Sequence, residues 1–362
     1  MHSQLDAKAC PLYARRMSTY LFATLKLSLL IVCALGAFIM WASGGRGDLR
    51  SVMESQASHL GLPSAQSTTK EGLLSVATWN IAYGRGHSGD TSGPWSRSHI
   101  VKHLDGIADT ISKMELDIIA LQEVDFDAAR SHHIHQGRYL AEKLGWSHFA
   151  CVETWVQNYI PFPYWPPQRH YGKIKSGQCV ISRFPLSRNI RYRLPQPEEN
   201  PKWYNLFYLH RAIQQVSVEV LGETFEIFNV HFEAFNKRNR KKHLEFLVHL
   251  LGEEKAMGRI VLGDFNALPP EAEKRHAFKD EPKDDYRKDD SMSLMLSRSD
   301  FSETFRKLQG KGLIESHTFP AHEPNRRLDY LFGSQRFEAI RAWIPEASEL
   351  SDHLPVATRF QI

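Results

Sequence analysis

Leu73-Leu74-Ser75-Val76-Ala77-Thr78-Trp79-Asn80 is the stretch on which the fold turns. Leu73 to Trp79 runs without a charge and predicts a strand, and a polar Asn80 stands where that strand ends. The next segment changes period. From His99 to Met114 the apolar residues Ile100, Leu104, Ile107 and Ile111 recur at helical spacing. Asp117-Ile118-Ile119-Ala120-Leu121 then reads as a short buried strand with Glu123 just beyond it. Strand, helix and strand in that order set the class as α/β.

Outward from this unit the alternation continues. Gln136 to Leu144 predicts a helix stopped by Gly145, and Gly177 to Ser182 a strand ended by Phe184-Pro185. Arg211 to Val220 and Phe225 to Val230 predict a hairpin across Leu221-Gly222-Glu223. Asn239 to Leu251 predicts a helix with Gly252 as its stop. Strands follow at Arg259 to Leu262, Leu328 to Phe332 and Leu354 to Phe360. A mixed sheet covered by helices fits this better than a purely parallel one. No internal repeat is present, and Asp280 to Asp290 reads as a solvated, charge-dense loop.

The N-terminus has a different character. Tyr20 to Trp41 is almost wholly apolar, with Lys26 its one charge and Lys8, Arg15 and Arg16 before it. That run is as long as a bilayer-spanning helix needs, roughly 20 residues, and Tyr20 and Trp41 flank it as interfacial aromatics do. It reads as a signal anchor with residues 1–19 as a cytoplasmic tail and the remainder on the non-cytoplasmic side. A signal peptide cleaved near Ala42-Ser43-Gly44, which would leave a secreted protein, is the competing reading. Residues 42–71 are expected to be a polar linker, and 72–362 the folded domain.

The 362 residues accommodate one large domain plus such an appendage. Their 42% hydrophobic and 24% charged content is that of a globular chain rather than a disordered one. A formal net charge of +4 is too small to mark a dedicated nucleic-acid binder. Cys10, Cys33, Cys151 and Cys179 form no zinc pattern. Cys151 and Cys179 are expected to be small buried thiols, with a disulfide open to them if the domain is exported.

The chemistry lies in polar residues at strand ends. Asn80, Glu123, His231, Asp264, Asn266, Asp329, Asp352 and His353 all stand there, and converging them on one rim is how α/β folds build sites. Singly, each has an ordinary explanation as a turn or structural residue; the set does not. A hard divalent cation takes carboxylate and amide oxygens plus water, so Glu123 with Asn80 suits one. Asp264 suits a general base, His231 and His353 suit donors to phosphoryl oxygens, and Asp329 suits a partner that fixes a histidine tautomer.

The motifs that hold these residues resemble a known family. Thr78-Trp79-Asn80-Ile81, Leu121-Gln122-Glu123-Val124, Ile181-Ser182-Arg183-Phe184-Pro185, Asn229-Val230-His231, Gly263-Asp264-Phe265-Asn266, Arg327-Leu328-Asp329-Tyr330 and Ser351-Asp352-His353-Leu354-Pro355 resemble, in order, those of the endonuclease/exonuclease/phosphatase (DNase-I-like) superfamily. The resemblance spans Leu73 to the C-terminus. It implies a four-layer α/β sandwich of two packed mixed β-sheets flanked by helices. It also implies a phosphoesterase dependent on Mg²⁺ or Mn²⁺. By family roles Asn80, Glu123 and Asp352 are metal-side residues, and His231, Asp264, Asn266, Asp329 and His353 are catalytic. Lys175, near where some members place a phosphate-contacting tyrosine, and Arg211 are candidates for binding substrate. Ala82 stands where the family's abasic-site nucleases carry an acid, and those nucleases lack a histidine at the place of His231. The match is closer to the deoxyribonuclease-I-like, sphingomyelinase-like and inositol-phosphatase-like branches.

Substrate is where the sequence thins out. The insertions 155–171 and 195–210 are too Pro-rich for regular elements and carry Tyr159, Phe162, Tyr164, Trp165, Trp203, Tyr204, Phe207 and Tyr208. They are packed flaps, or they meet a bilayer, an apolar substrate or nucleic-acid bases. The basic cluster Lys237 to Lys242 reads as a solvated helix start or a steering patch. Three functions stay open: a membrane-associated phosphodiesterase acting on a lipid or other phosphate ester, an exported DNA or RNA endonuclease, and a non-catalytic binding module of the same fold. No feature of the sequence points to a protein partner.

Overall fold

Local chemistry sets where the helices begin and end. Ser96 is extended and its hydroxyl accepts from the His99 amide at 3.1 Å, capping the helix that carries Ile100, Leu104, Ile107 and Ile111. Gly145 closes the Gln136–Leu144 helix in a left-handed conformation with φ 67°. The computed structural model describes residues 11–45, 47, 50–62, 72–87, 93–253, 258–309 and 316–362. In chain order these form α1 (Pro11–Ala42), β1 (Val52–Gln56), β2 (Ser58–His59), β3 (Leu73–Asn80), α2 (Arg97–Lys113), β4 (Ile118–Asp125), α3 (Gln136–Leu144), β5 (His148–Ile160), β6 (Gly172–Ser182) and β7 (Leu186–Arg193). There follow α4 (Lys202–Asn205), β8 (Ala212–Val220), β9 (Glu223–His231), α5 (Lys237–Glu253), β10 (Gly258–Asp264), α6 (Ser291–Leu296), β11 (Phe301–Glu303), α7 (Thr304–Gln309), β12 (Asp329–Ser334), β13 (Glu338–Trp343) and β14 (Val356–Gln361).

The strands make two seven-stranded sheets, ordered β1-β7-β8-β9-β10-β12-β11 and β13-β14-β3-β4-β6-β5-β2. Both are mixed: β3–β4 and β9–β10 pair in parallel, and the other pairings are antiparallel. The sheets face each other through Leu74, Val76, Ile118, Ala120 and Val180 on one side and Val216, Ile227, Ile260, Leu262 and Leu331 on the other. Helices α2 and α3 cover the outer face of the second sheet. Helices α5 and α6 cover that of the first. This is the four-layer α/β sandwich, with the apolar α1 at its N-terminal end.

Strand register decides where the site lies. His231 on β9 pairs with Asp264 on β10, and Asp264 pairs in turn with Asp329 on β12. In the opposing sheet Asn80 on β3 pairs with Gln122, next to Glu123. The register of β4 against β6 shifts between Leu121 and Val124, and Glu123 sits in that bulge with φ 54°. Glu123 therefore lies within β4 rather than after it, re-aimed by the bulge. Gly263 has φ 141°, and a Cβ there would fall 2.0 Å from the Val230 carbonyl oxygen, so only glycine permits the close approach of β10 to β9 just before Asp264.

Beneath this end the space between the sheets is polar. Gln122 Nε2 donates to Asn229 Oδ1 at 2.7 Å, and Asn229 Nδ2 donates to Gln214 Oε1 at 3.0 Å and to the Leu121 carbonyl at 3.2 Å. Asn229 is two residues before His231 and Gln122 is next to Glu123, so buried amides lock the two halves of the site together.

Several sequence expectations need correction. The stretch 42–71 is not all linker: β1 pairs with β7 and β2 with β5, extending both sheets. Residues 63–71 lie outside the described residues, as do residues 1–10 of the expected tail, the rest of which joins α1. Gly252 lies inside α5 instead of stopping it. The insertion 155–171 is regular as far as Ile160, because β5 runs 13 residues against β6 and only its far part is loop. Cys151 and Cys179 are directly opposed on β5 and β6, with Cα atoms 4.1 Å apart, and form a disulfide rather than two thiols. The loop Asp280 to Asp290 is pinned, not free: buried Arg326 pairs with Asp280 at 2.6 Å and with Glu281, and Arg240 pairs with Asp289 at 2.7 Å.

Candidate active site

Eight strand-end residues named from the sequence gather at the rim where the two sheets meet. Asp264 is the hub. Its Oδ2 accepts from Asn80 Nδ2 at 3.1 Å and from Asn266 Nδ2 at 3.3 Å, and its Oδ1 accepts from the Asn266 amide at 2.9 Å. His231 Nε2 stands 3.4 Å and His353 Nε2 3.8 Å from the same Oδ2. Asn80 Nδ2 also donates to Glu123 Oε1 at 3.3 Å, and His231 Nε2 lies 3.9 Å from that oxygen. His353 Nδ1 donates to Asp329 Oδ2 at 2.8 Å. The His353 backbone is fixed by Trp79 Nε1, which donates to its carbonyl at 2.9 Å.

Burial makes these groups unusual acids and bases. It raises the Asp264 carboxyl to about 7; the His353 cation opposes the rise, Asp329 adds to it, and the Asn80 and Asn266 donors oppose it. For His353, burial favours the neutral ring, but the Asp329 and Asp264 carboxylates overcome this and lift it to about 10, so it is an imidazolium at neutral pH. His231 goes the other way: burial, then the Arg211 cation, then His353 hold it well below its ordinary value. One rim thus carries a carboxyl, a charged imidazole and a neutral one, poised for different proton tasks.

Two sites for a cation present themselves. Asp264, Asp329 and His353 offer ligand atoms within 4.8 Å of one another, but that set is buried and its imidazole Nδ1 is already bound to Asp329. Glu123 fits a hard cation better: its side chain is 36% exposed at the mouth, and Mg²⁺ retains several waters. The residues around it are conditioned. Asn80 spends its amide hydrogens on Glu123 and Asp264, and its Oδ1 accepts from the Ala82 amide at 3.1 Å, so here it spaces two carboxylates. Asp352 pairs with Arg85, which also lies beside Glu123. Arg85 was not singled out in the sequence; its only local signal is a position between Gly84 and Gly86. Buried among these carboxylates, it holds a positive charge beside Asp352 and Glu123.

The two residues suggested for substrate part company. Arg211 Nη1 donates to His231 Nε2, inside the cluster. Lys175 pairs with Glu153 at 2.8 Å instead. The basic cluster at the start of α5 is neutralised locally: Arg238 pairs with Glu199, Arg240 with Asp289, Lys241 with Asp290 and Lys242 with Glu198, each at 2.7 or 2.8 Å.

Comparison with known proteins agrees with this fold. No curated protein sequence matches the chain. Solved structures do, at identities that speak to the fold alone. An endonuclease/exonuclease/phosphatase from Beutenbergia cavernae has a TM-score of 0.57 at 22% identity, over 81% of this chain and 72% of that one. A mannosyl-6-phosphatase of Bacteroides thetaiotaomicron has a TM-score of 0.54 at 18% identity, over 80% and 100%. A humanized D. rerio TDP2 has a TM-score of 0.52 at 13% identity, over 81% and 100%. The sequence profile of the Endonuclease/Exonuclease/phosphatase family matches residues 77–353, which run from β3 through His353 and include every residue of the cluster. This chain therefore belongs to the endonuclease/exonuclease/phosphatase family.

Proposed function

We propose that this protein is a divalent-metal-dependent phosphodiesterase, anchored in a membrane by α1, that hydrolyses phosphate esters with Asp264 as the general base. The observation that carries the reading is the placement of Asp264 between His231 and His353, with Glu123 beside them at the open side. Glu123, with Asp352, would hold Mg²⁺ or Mn²⁺, and Asn80 would position the Glu123 carboxylate; such an ion when bound neutralises charge on a phosphoryl oxygen.

The chain's own residues supply the rest. Asp264 takes a proton from water as the water oxygen bonds to phosphorus and the bond to the leaving oxygen breaks. Asn266 and Asn80 hold that carboxylate in place through 2.9 and 3.1 Å bonds. The His353 imidazolium, oriented by Asp329, donates to a phosphoryl oxygen as negative charge builds there. Arg211 offers the planar donor pair that suits phosphate, and His231 lies beside it. The fold shared with a mannosyl-6-phosphatase supports phosphate-ester chemistry in general.

A nucleic-acid substrate is less favoured, because Arg238, Arg240, Lys241 and Lys242 at the start of α5 are each paired with a carboxylate. The test is hydrolysis by the full chain of bis(p-nitrophenyl) phosphate, of phospholipid and sphingomyelin vesicles and of plasmid DNA, with Mg²⁺ and with EDTA. Chelator-sensitive turnover of the esters, lost in Asp264→Ala, supports the reading. DNA cleavage without lipid turnover would make it a nuclease, and no turnover of any ester would leave only a binding module.

A further inference from the structure

Helix α1 ends on the catalytic domain. The rings of Phe38 and Trp41 lie 5.9 and 6.3 Å from that of Tyr159 on β5, and Asn158 Nδ2 donates to the Trp41 carbonyl at 2.8 Å. Tyr159 in turn bonds His170 Nδ1 at 2.7 Å, across the base of the loop that joins β5 to β6. That loop projects Phe162, Tyr164 and Trp165, which are 41, 70 and 81% exposed. Helix α4 continues the surface. Gln157 Nε2 on β5 donates to the Leu206 carbonyl just after α4 at 2.8 Å, which holds α4 beside that strand, and Trp203, 63% exposed, packs on Tyr204 with ring centres 5.9 Å apart.

The surface then reaches the site. The Tyr204 and Tyr208 rings are 5.4 Å apart, Tyr208 Oη donates to Glu233 Oε1 at 2.7 Å, and the amide of Phe235, 77% exposed, donates to that same oxygen at 3.1 Å. Glu233 is two residues past His231. Single exposed aromatics need no explanation, but a contiguous set that starts where an apolar helix ends and finishes at a catalytic mouth does. The Thr19–Ala42 part of α1 has 24 residues. At 1.5 Å per residue it is about 36 Å long, against a hydrocarbon core of about 30 Å. Its last turn then sits among headgroups, and what touches that turn sits at the same depth. Trp and Tyr are the side chains that favour this layer.

We infer that the β5–β6 loop and α4 form a second bilayer contact beside α1, lying in the headgroup layer, so that the His231 side of the active-site mouth opens onto the membrane surface. The inference rests on α1 being a membrane anchor, and it names a membrane-borne phosphate ester as the substrate class of the proposed activity.

The full chain in phosphatidylcholine nanodiscs, with bromine placed near the headgroup or deep in the acyl chains, tests the contact by tryptophan quenching. The headgroup-level label should quench wild type, and Trp165→Ala/Trp203→Ala should remove about two-thirds of that quenching, leaving the share of Trp41. Equal quenching of wild type and the double variant would place both rings in water and overturn the contact. Turnover gives an independent readout. The double variant should hydrolyse water-soluble bis(p-nitrophenyl) phosphate like wild type but lose about tenfold on a phospholipid in the same disc. Equal loss on both, or on neither, would overturn the orientation of the mouth. If wild type hydrolyses nothing, the phosphoesterase reading and the substrate class fall, while the quenching still decides the contact.

Discussion

Arg211, just before β8, and His231, at the end of β9, face each other, with the guanidinium Nη1 on the imidazole Nε2. A guanidinium only donates, so Nε2 must accept and His231 must carry its proton on Nδ1. This agrees with the lowered affinity of His231 for a second proton. Replacing Arg211 with Gln removes a cation that holds the ring neutral. His231 should then titrate at higher pH, as imidazole NMR would show, and kcat/KM should fall about 10²-fold. An unmoved His231 titration would show that Arg211 does not set its protonation.

Asp329 acts through His353, whose Nδ1 it holds at 2.8 Å while the opposite nitrogen faces Asp264. Asp329→Asn keeps the shape but removes the charge that favours the imidazolium. The expected result is a fall in kcat of about 10²- to 10³-fold with KM little changed. A drop confined to KM would assign Asp329 to binding instead.

Gly263→Ala should be more damaging than its size suggests. The new Cβ would meet the Val230 carbonyl at 2.0 Å in a backbone with φ 141°, so β10 must move away from β9. Overpacking of this kind costs about 1–3 kcal/mol or more, and the movement separates Asp264 from His231. A lowered Tm together with lost activity is expected; a variant with wild-type Tm and turnover would refute the register argument.

The Cys151–Cys179 bridge closes a segment with a sequence separation of 28. Loop-closure entropy for that length corresponds to about 3–4 kcal/mol. Cys151→Ser should lower Tm under oxidising conditions and leave the reduced protein unchanged relative to reduced wild type. Identical oxidised melting curves would show that the bond contributes nothing.

His243 links stability to acidity. It is buried on α5, donates from Nε2 to the Pro195 carbonyl at 2.8 Å, and its Nδ1 has no partner among the described residues. Burial lowers it from 6.5 to about 4. As pH falls through 6.5 the unfolded chain takes up the proton first and the folded ring does not, so the stability present above pH 6.5 is lost progressively down to about pH 4. The loss from this group is about 3 kcal/mol. His243→Gln should flatten that part of the curve in urea melts between pH 7 and 4; an unchanged slope would show that other groups carry it.

Much of the site was legible because its chemistry is written at strand ends. Asn80, Glu123, His231, Asp264, Asp329 and His353 stand out as polar residues beside apolar runs, and parallel or antiparallel register brings them together. The helix at Gln136–Leu144 was legible for the same reason, since its period and Gly145 are local signals. Strand β5 was legible only in part: the stretch around Cys151 is strand-like, but from Trp155 to Ile160 partly exposed polar residues interrupt the apolar run, and only pairing with β6 makes it regular. Arg85 was not legible, since a lone arginine between glycines carries no period and its partner Asp352 is distant in sequence.

What the amino-acid order determined by itself is the alternation of strands and helices, the apolar N-terminal helix and the identity of the groups at the rim, because each depends on neighbours within a few residues. Tertiary structure alone decided how those groups are used. The proton on His231, the amide of Asn80 turned toward two carboxylates, the charge of Asp352 met by Arg85 and the pairing of Cys151 with Cys179 all depend on contacts between strands far apart in the chain. In a buried rim such contacts set the local field and the hydrogen-bond direction, and those are what make a residue an acid, a base or a spacer.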